Sequence, residues 1–164
     1  MLERGMVPEA QILVRSAYEF LFFGAALIKD ASLFDKLTLA DQEERRKQAK
    51  GMLKSDRFSQ TDKEKLNELG DMPRGITVSA YEAAETAGYG ELYETVYRGM
   101  SMIASHGTIA ATNCVFQLDD ETGFGVVYGP SNERLEFTAK LVELCFDEGA
   151  KVFGQFLPAA EAPA

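Results

Sequence analysis

The sequence predicts an all-α helical bundle with a small β-hairpin before the last helix, and three observations carry that prediction. Residues 8 to 29 are apolar on nearly every face, which marks a helix surrounded by others. Leu92/Tyr93, Val96/Tyr97, Met100 and Ile103/Ala104 recur at helical spacing. A third run, from about 132 to 157, places Phe137, Leu141, Leu144, Cys145, Val152, Phe153 and Phe156 where a helix buries them.

Taken in order, Leu2-Glu3-Arg4-Gly5 reads as the last turn of a helix closed by a glycine, which implies a further helix upstream. Pro8 suits the first turn of the helix that follows. Its most apolar stretch, Ile12 to Ile28, is interrupted by Arg15, Ser16 and Glu19. Only FLFFGAALI is left unbroken, too short to span a bilayer, so a central buried helix and no membrane partner are expected. Leu33, Phe34 and Leu37 form a short apolar link, and Leu39 to Lys54 a charged, solvated helix weakened by Gly51. Residues 61 to 69 form an amphipathic helix with Thr61 as its N-cap, and residues 70 to 75 a loop. Ser79 and Glu82 have the spacing of a capping box for the helix SAYEAAETA.

A further helix runs from Gly90 to His106, where Gly107 stops it. CVFQL (114–118) and FGVVY (124–128) flank the acidic turn DDETG and read as the hairpin. Residues 1–157 thus make a single domain, and 158–164, small and proline-rich, a disordered tail.

Composition narrows the function. Hydrophobic residues at 46% of a 164-residue chain suffice for one real core. A net charge of -9 repels nucleic acid and anionic lipid on average, so such a partner needs a local basic patch. The one basic cluster, Arg45, Arg46, Lys47, Lys50, Lys54 and Arg57, follows Asp41, Glu43 and Glu44, an order that complements the helix dipole and reads as a solvated face. Cys114 and Cys145 sit among apolar residues as reduced thiols. With no apolar leader in MLERGMVPEA, they indicate a cytoplasmic protein.

No cofactor or metal is predicted. GYGEL (88–92) and GFG (123–125) are too weak for phosphate cradles, and no phosphate-loop or dinucleotide fingerprint occurs. Glu82, Glu85, Glu91 and Glu94 lack the Glu-x-x-His pairs of a di-metal bundle. One histidine and two separated cysteines make no zinc spacing.

The candidate site comes from hydrophilic residues on apolar helices. Arg15 and Glu19, four apart, share a helix face. Burying that pair costs desolvation energy, so it either lines a polar cleft or fixes helix register as an internal ion pair. Tyr97 and Ser101 share a face of the later helix, with Arg98 beside them. His106, the only histidine, is either a general acid or base or a helix-closing residue at the negative end of the dipole. A Ser101–His106 hydrolase is a weaker alternative, since no nucleophile elbow precedes it.

RSAYE (Arg15 to Glu19) and YRGMSMIASHG (Tyr97 to Gly107), with the ERGMVPEAQILV approach, resemble an uncharacterised bacterial helical family with an Arg-Ser-x-x-Glu helix and a later Tyr-x-x-x-Ser…His helix. That family is similar in turn to the HEPN superfamily of helical bundles, many of them RNases or non-catalytic partners in toxin–antitoxin and phage-defence systems. The gap from Arg98 to His106 is longer than the catalytic HEPN pattern has. The resemblance implies that Arg15, Glu19, Tyr97, Ser101 and His106 converge between two central helices. There His106 is the general base, Arg15 or Arg98 stabilises phosphate charge and Glu19 orients the arginine, with RNA or a nucleotide as ligand. The competing expectation is a non-catalytic interaction module, a homo-oligomer such as a homodimer.

Overall fold

The computed structural model describes residues 1–104, 116–117, 123, 125–126 and 134–156, and its architecture is all-α. A short 3-10 turn, Leu2–Arg4, is closed by Gly5 in the left-handed region (φ 69°), a conformation that costs glycine least. Helix α1 (Val7–Lys29) follows, with Pro8 in its first turn where the missing N–H costs nothing. By length and composition α1 could cross a membrane, a property it shares with core helices of soluble proteins.

Three helices pack on α1: α4 (Ala80–Ala87), α5 (Gly90–Leu92, then Tyr93–Tyr97, then Arg98–Ala104, read as one helix) and α6 (Leu135–Phe153, followed by the 3-10 turn Gly154–Phe156). Tyr18, Phe22 and Ala26 are fully buried at their centre. Each large side chain removed from water there stabilises the bundle by roughly 1.5–3 kcal/mol. α4 presents Ala83, Ala84 and Ala87 to the core, small residues that permit close approach. Two buried hydrogen bonds lock α1 to α6: Gln11 Nε2 donates to Thr138 Oγ1 (3.0 Å), and Tyr18 Oη to the Leu141 carbonyl (3.0 Å).

Several expectations need correction. α1 is not covered all round: Leu13 and Phe20 remain 55% and 77% exposed. On α6, Leu141 is buried, but Phe137 and Leu144, and Phe156 in the turn that follows, are exposed, because a helix packed on one neighbour buries one stripe only. The supposed link at Leu33 is the start of α2 (Leu33–Met52). α3 (Gln60–Gly70) is capped by Ser59, not Thr61; Ser59 exchanges hydrogen bonds with Asp62, while Ser79 and Glu82 make the reciprocal box on α4. Between 105 and 133, the described backbone is Gly123 and a two-residue antiparallel pairing, Phe116 with Val126 and Gln117 with Gly125. The rest of the expected hairpin, the proposed tail and Cys114 lie outside the described residues.

The solvated face expected on α2 is also interrupted. Glu43 and Arg46 are buried, joined by a bidentate pair (2.7 and 2.8 Å), because the segment before α4 crosses over them. The Gly75 N–H donates to Glu43 Oε2 (3.0 Å), and a Cβ at Gly75 would strike the Leu39 carbonyl oxygen.

That crossing predicts opposite outcomes at two glycines. Gly75→Ala should destabilise by about 1–3 kcal/mol, through forced displacement of backbone. Gly51→Ala, with open space around its α2 position, should stabilise by roughly 0.5–1 kcal/mol. Thermal unfolding measures both, and a neutral Gly75→Ala would mean the segment does not lie against α2.

The Glu43 carboxyl is held down at about 2 by the Arg46 guanidinium and the Gly75 N–H. A depressed folded-state value contributes stability above the unfolded value of 4.5 that is lost as pH falls towards 2. In urea titrations across that window, Glu43→Gln should lose less stability than the unmodified chain; parallel losses would refute the assignment.

Candidate functional site

The site lies where α1 meets α5. On α1, Arg15 and Glu19 stand one turn apart, and Arg15 Nη1 donates to Glu19 Oε2 (3.2 Å). On α5, Tyr97 and Ser101 stand one turn apart and face them. Arg15 Nε donates to Ser101 Oγ (3.0 Å) and Nη2 to Tyr97 Oη (2.6 Å), while Tyr97 Oη donates to Glu19 Oε2 (3.2 Å). Four side chains from two helices thus close one network. The Arg15 side chain keeps 23% of its exposure and that of Glu19 38%, so the cluster opens to solvent at one edge.

A π-helical turn, Tyr93–Tyr97, positions the α5 half. There the Arg98 N–H reaches the Tyr93 carbonyl, one residue beyond the usual α-helical partner. Such widened turns are frequent at functional positions. The Tyr93 and Tyr97 rings stack (5.1 Å between centroids, 25° between planes), and Tyr81 on α4 meets Tyr93 edge-on at 5.3 Å. The Arg15 guanidinium carbon lies 4.7 Å from the Tyr97 centroid, a cation–π contact of roughly 0.5–2 kcal/mol depending on desolvation. An aromatic ladder therefore leads from exposed Tyr81 to the guanidinium.

Burial raises the Tyr97 hydroxyl above its ordinary value of 10.0, and the Glu19 charge adds to the effect. Tyr97 is consequently a neutral hydrogen-bond bridge, and the positive charge of Arg15 has Glu19 as its counterion.

Of the six residues expected at the site, the structure brings together Arg15, Glu19, Tyr97 and Ser101. Arg98 is elsewhere engaged: exposed, it pairs with Glu94 on its own helix (2.7 Å). His106 lies outside the described residues. Sequence reasoning missed Tyr81 and Tyr93, whose helical positions read as ordinary core; nothing local signals their stacking. Among the described residues no group of three His, Cys, Asp or Glu side chains converges to hold a metal ion.

A family model described as a family of unknown function, DUF5677, matches residues 1–124, and the chain belongs to that family. The match spans both helices of the polar cluster. No curated protein and no solved structure matches the chain.

The network predicts how Tyr97 titrates. Because its folded-state value is raised, the stability linked to it is complete below the unfolded value of 10.0 and declines as pH rises above that. Tyr97→Phe should cost about 1–2 kcal/mol at neutral pH, from two lost hydrogen bonds. It should also weaken the alkaline decline seen in chemical denaturation. An unchanged alkaline slope would show that Tyr97 does not carry the linkage.

Proposed function

We propose that this member of a family of unknown function binds a nucleotide, or the end of an RNA strand, at the cluster of Arg15, Glu19, Tyr97 and Ser101. The observation that carries the reading is a partly exposed guanidinium adjoining a ladder of tyrosine rings. Arg15 has five N–H groups, of which the described contacts use three. Two remain to meet a phosphate oxygen. Ser101 accepts from Arg15 Nε and keeps its own hydrogen to donate. Tyr81, exposed at the end of the ladder, offers its ring to a base.

A single arginine, in a chain of net charge -9, suits one phosphate group rather than a long nucleic acid. Glu19 fixes the guanidinium's orientation and restrains its charge. The reading includes the HEPN-like character of the bundle, a cytoplasmic setting and a role in toxin–antitoxin or phage-defence chemistry. His106 is the residue assigned to proton abstraction.

A second reading, a non-catalytic dimeric interaction module, is supported by the closure of the cluster on itself: each of its four side chains already has a partner within the chain. On that reading the network only holds α1 against α5.

Calorimetric titration with nucleoside monophosphates and short RNA separates the two. Tyr81→Ala removes an exposed ring without opening the core, and should weaken binding by about 1–3 kcal/mol, the worth of one stacked base. Ser101→Ala should weaken it as well, and His106→Ala should abolish RNA cleavage while sparing binding. No heat with any of these ligands, or equal binding by the variants, would leave the interaction module as the reading.

A further inference from the structure

A wide hollow lies on another face of α1 from the polar cluster. Leu13, Ala17 and Phe20 of α1 and Phe146, Ala150 and Phe153 of α6 line an open groove of about 710 Å³, and no charged side chain lines it. Phe20 is 77% exposed and Phe146 74%. We propose that this groove is the two-fold interface of a homodimer, its occupant the same face of a second copy.

Three observations select that occupant. The first is area. Two phenylalanines so exposed, with Leu13 at 55% and the neighbouring alanines, put roughly 400–500 Å² of apolar surface into one patch, taking about 150–250 Å² per buried ring. That is close to the largest patch a monomer ordinarily shows. It is also about half of the roughly 800 Å² each partner gives to a standard interface, the apolar share such interfaces have.

The second observation is shape. An isologous interface needs projection and recess on the same surface. Here the Phe20 and Phe146 rings project, and Ala17, Gly149 and Ala150 make a floor of small residues. A Cβ added at Gly149 would meet nothing nearer than Phe153 at 4.0 Å, so the floor is open. At Gly24 an added Cβ would strike the Phe153 ring at 2.7 Å, so α1 and α6 close together there and end the groove.

The third observation is charge. Along α6, Lys140 pairs with Glu136 and Lys151 with Glu148. Those pairs lie on the side of α6 turned away from the groove, whose lining holds no charged side chain, so no charge is set against its own copy across a two-fold axis. The same acidic chain, at -9, is repelled by an anionic bilayer, which disfavours lipid as the occupant. The dimer surface holds whether or not the polar cluster takes a ligand.

Light scattering on the size-separated full chain, at micromolar concentration, tests the proposal. The unmodified protein should elute as a dimer. Phe20→Asp and Phe146→Asp should each give monomers. Two-fold symmetry removes each ring twice, so the dimer dissociation constant should rise roughly a thousandfold for two hot-spot losses. Both side chains are largely exposed, so helical circular dichroism and melting should be preserved and a folding failure recognised. A monomeric parent chain overturns the proposal, as does a dimer that both variants leave intact. A monomer that sediments with phosphatidylcholine–phosphatidylserine vesicles would assign the face to lipid instead.

Discussion

A guanidinium cannot enter an apolar interior without partners, and Arg15 sits in the middle of the chain's most apolar helix. Glu19, one turn on, supplies the counter-charge, but a pair alone seldom repays the loss of hydration. Ser101 and Tyr97 supply the remaining acceptors, and both belong to α5. Meeting them fixes where α5 lies along α1. A slip of one residue would turn Tyr97 away and leave its buried hydroxyl unpaired. The π turn at Tyr93–Tyr97 stands at the point where α5 must deliver that hydroxyl, and α4 follows because Tyr81 packs on Tyr93.

The helix that carries this network has a second obligation on another face. Gln11 and Tyr18 hydrogen-bond to α6, and this brings Phe146 and Phe153 alongside Leu13, Ala17 and Phe20. The result is a helix with one side closed by polar contacts and another left apolar and open. The division separates the two proposed functions spatially: chemistry or ligand recognition beside α5, self-association beside α6.

Much of this was legible in the chain. Helical periodicity located α1, α4, α5 and α6 to within a few residues, and the i to i+4 spacing of Arg15/Glu19 and Tyr97/Ser101 paired the residues that the fold brings together. What was not legible depends on other segments crossing. Arg46 reads as one of six basic residues on a solvated face; only the return of Gly75 over α2 buries it with Glu43. Phe20 reads as core because its neighbours are apolar, yet no described element covers it. Thr61 has the right chemistry for a cap, but Ser59 has the right spacing to Asp62 for a reciprocal one. The resemblance to an uncharacterised helical family rests on residues Arg15 to Glu19 and Tyr97 to Gly107, of which the last three lie outside the described residues.

On the proposed reading, Arg15 is both held by three partners and still able to meet a phosphate. The Nε–Hε resonance of Arg15 in a nitrogen–proton correlation spectrum reports on both. A slowly exchanging peak is expected at neutral pH, assigned by its loss in Arg15→Lys, that moves as a nucleoside monophosphate is added and not as the nucleoside alone is added. A peak broadened beyond detection by water exchange, or one that stays fixed through the titration, would contradict it.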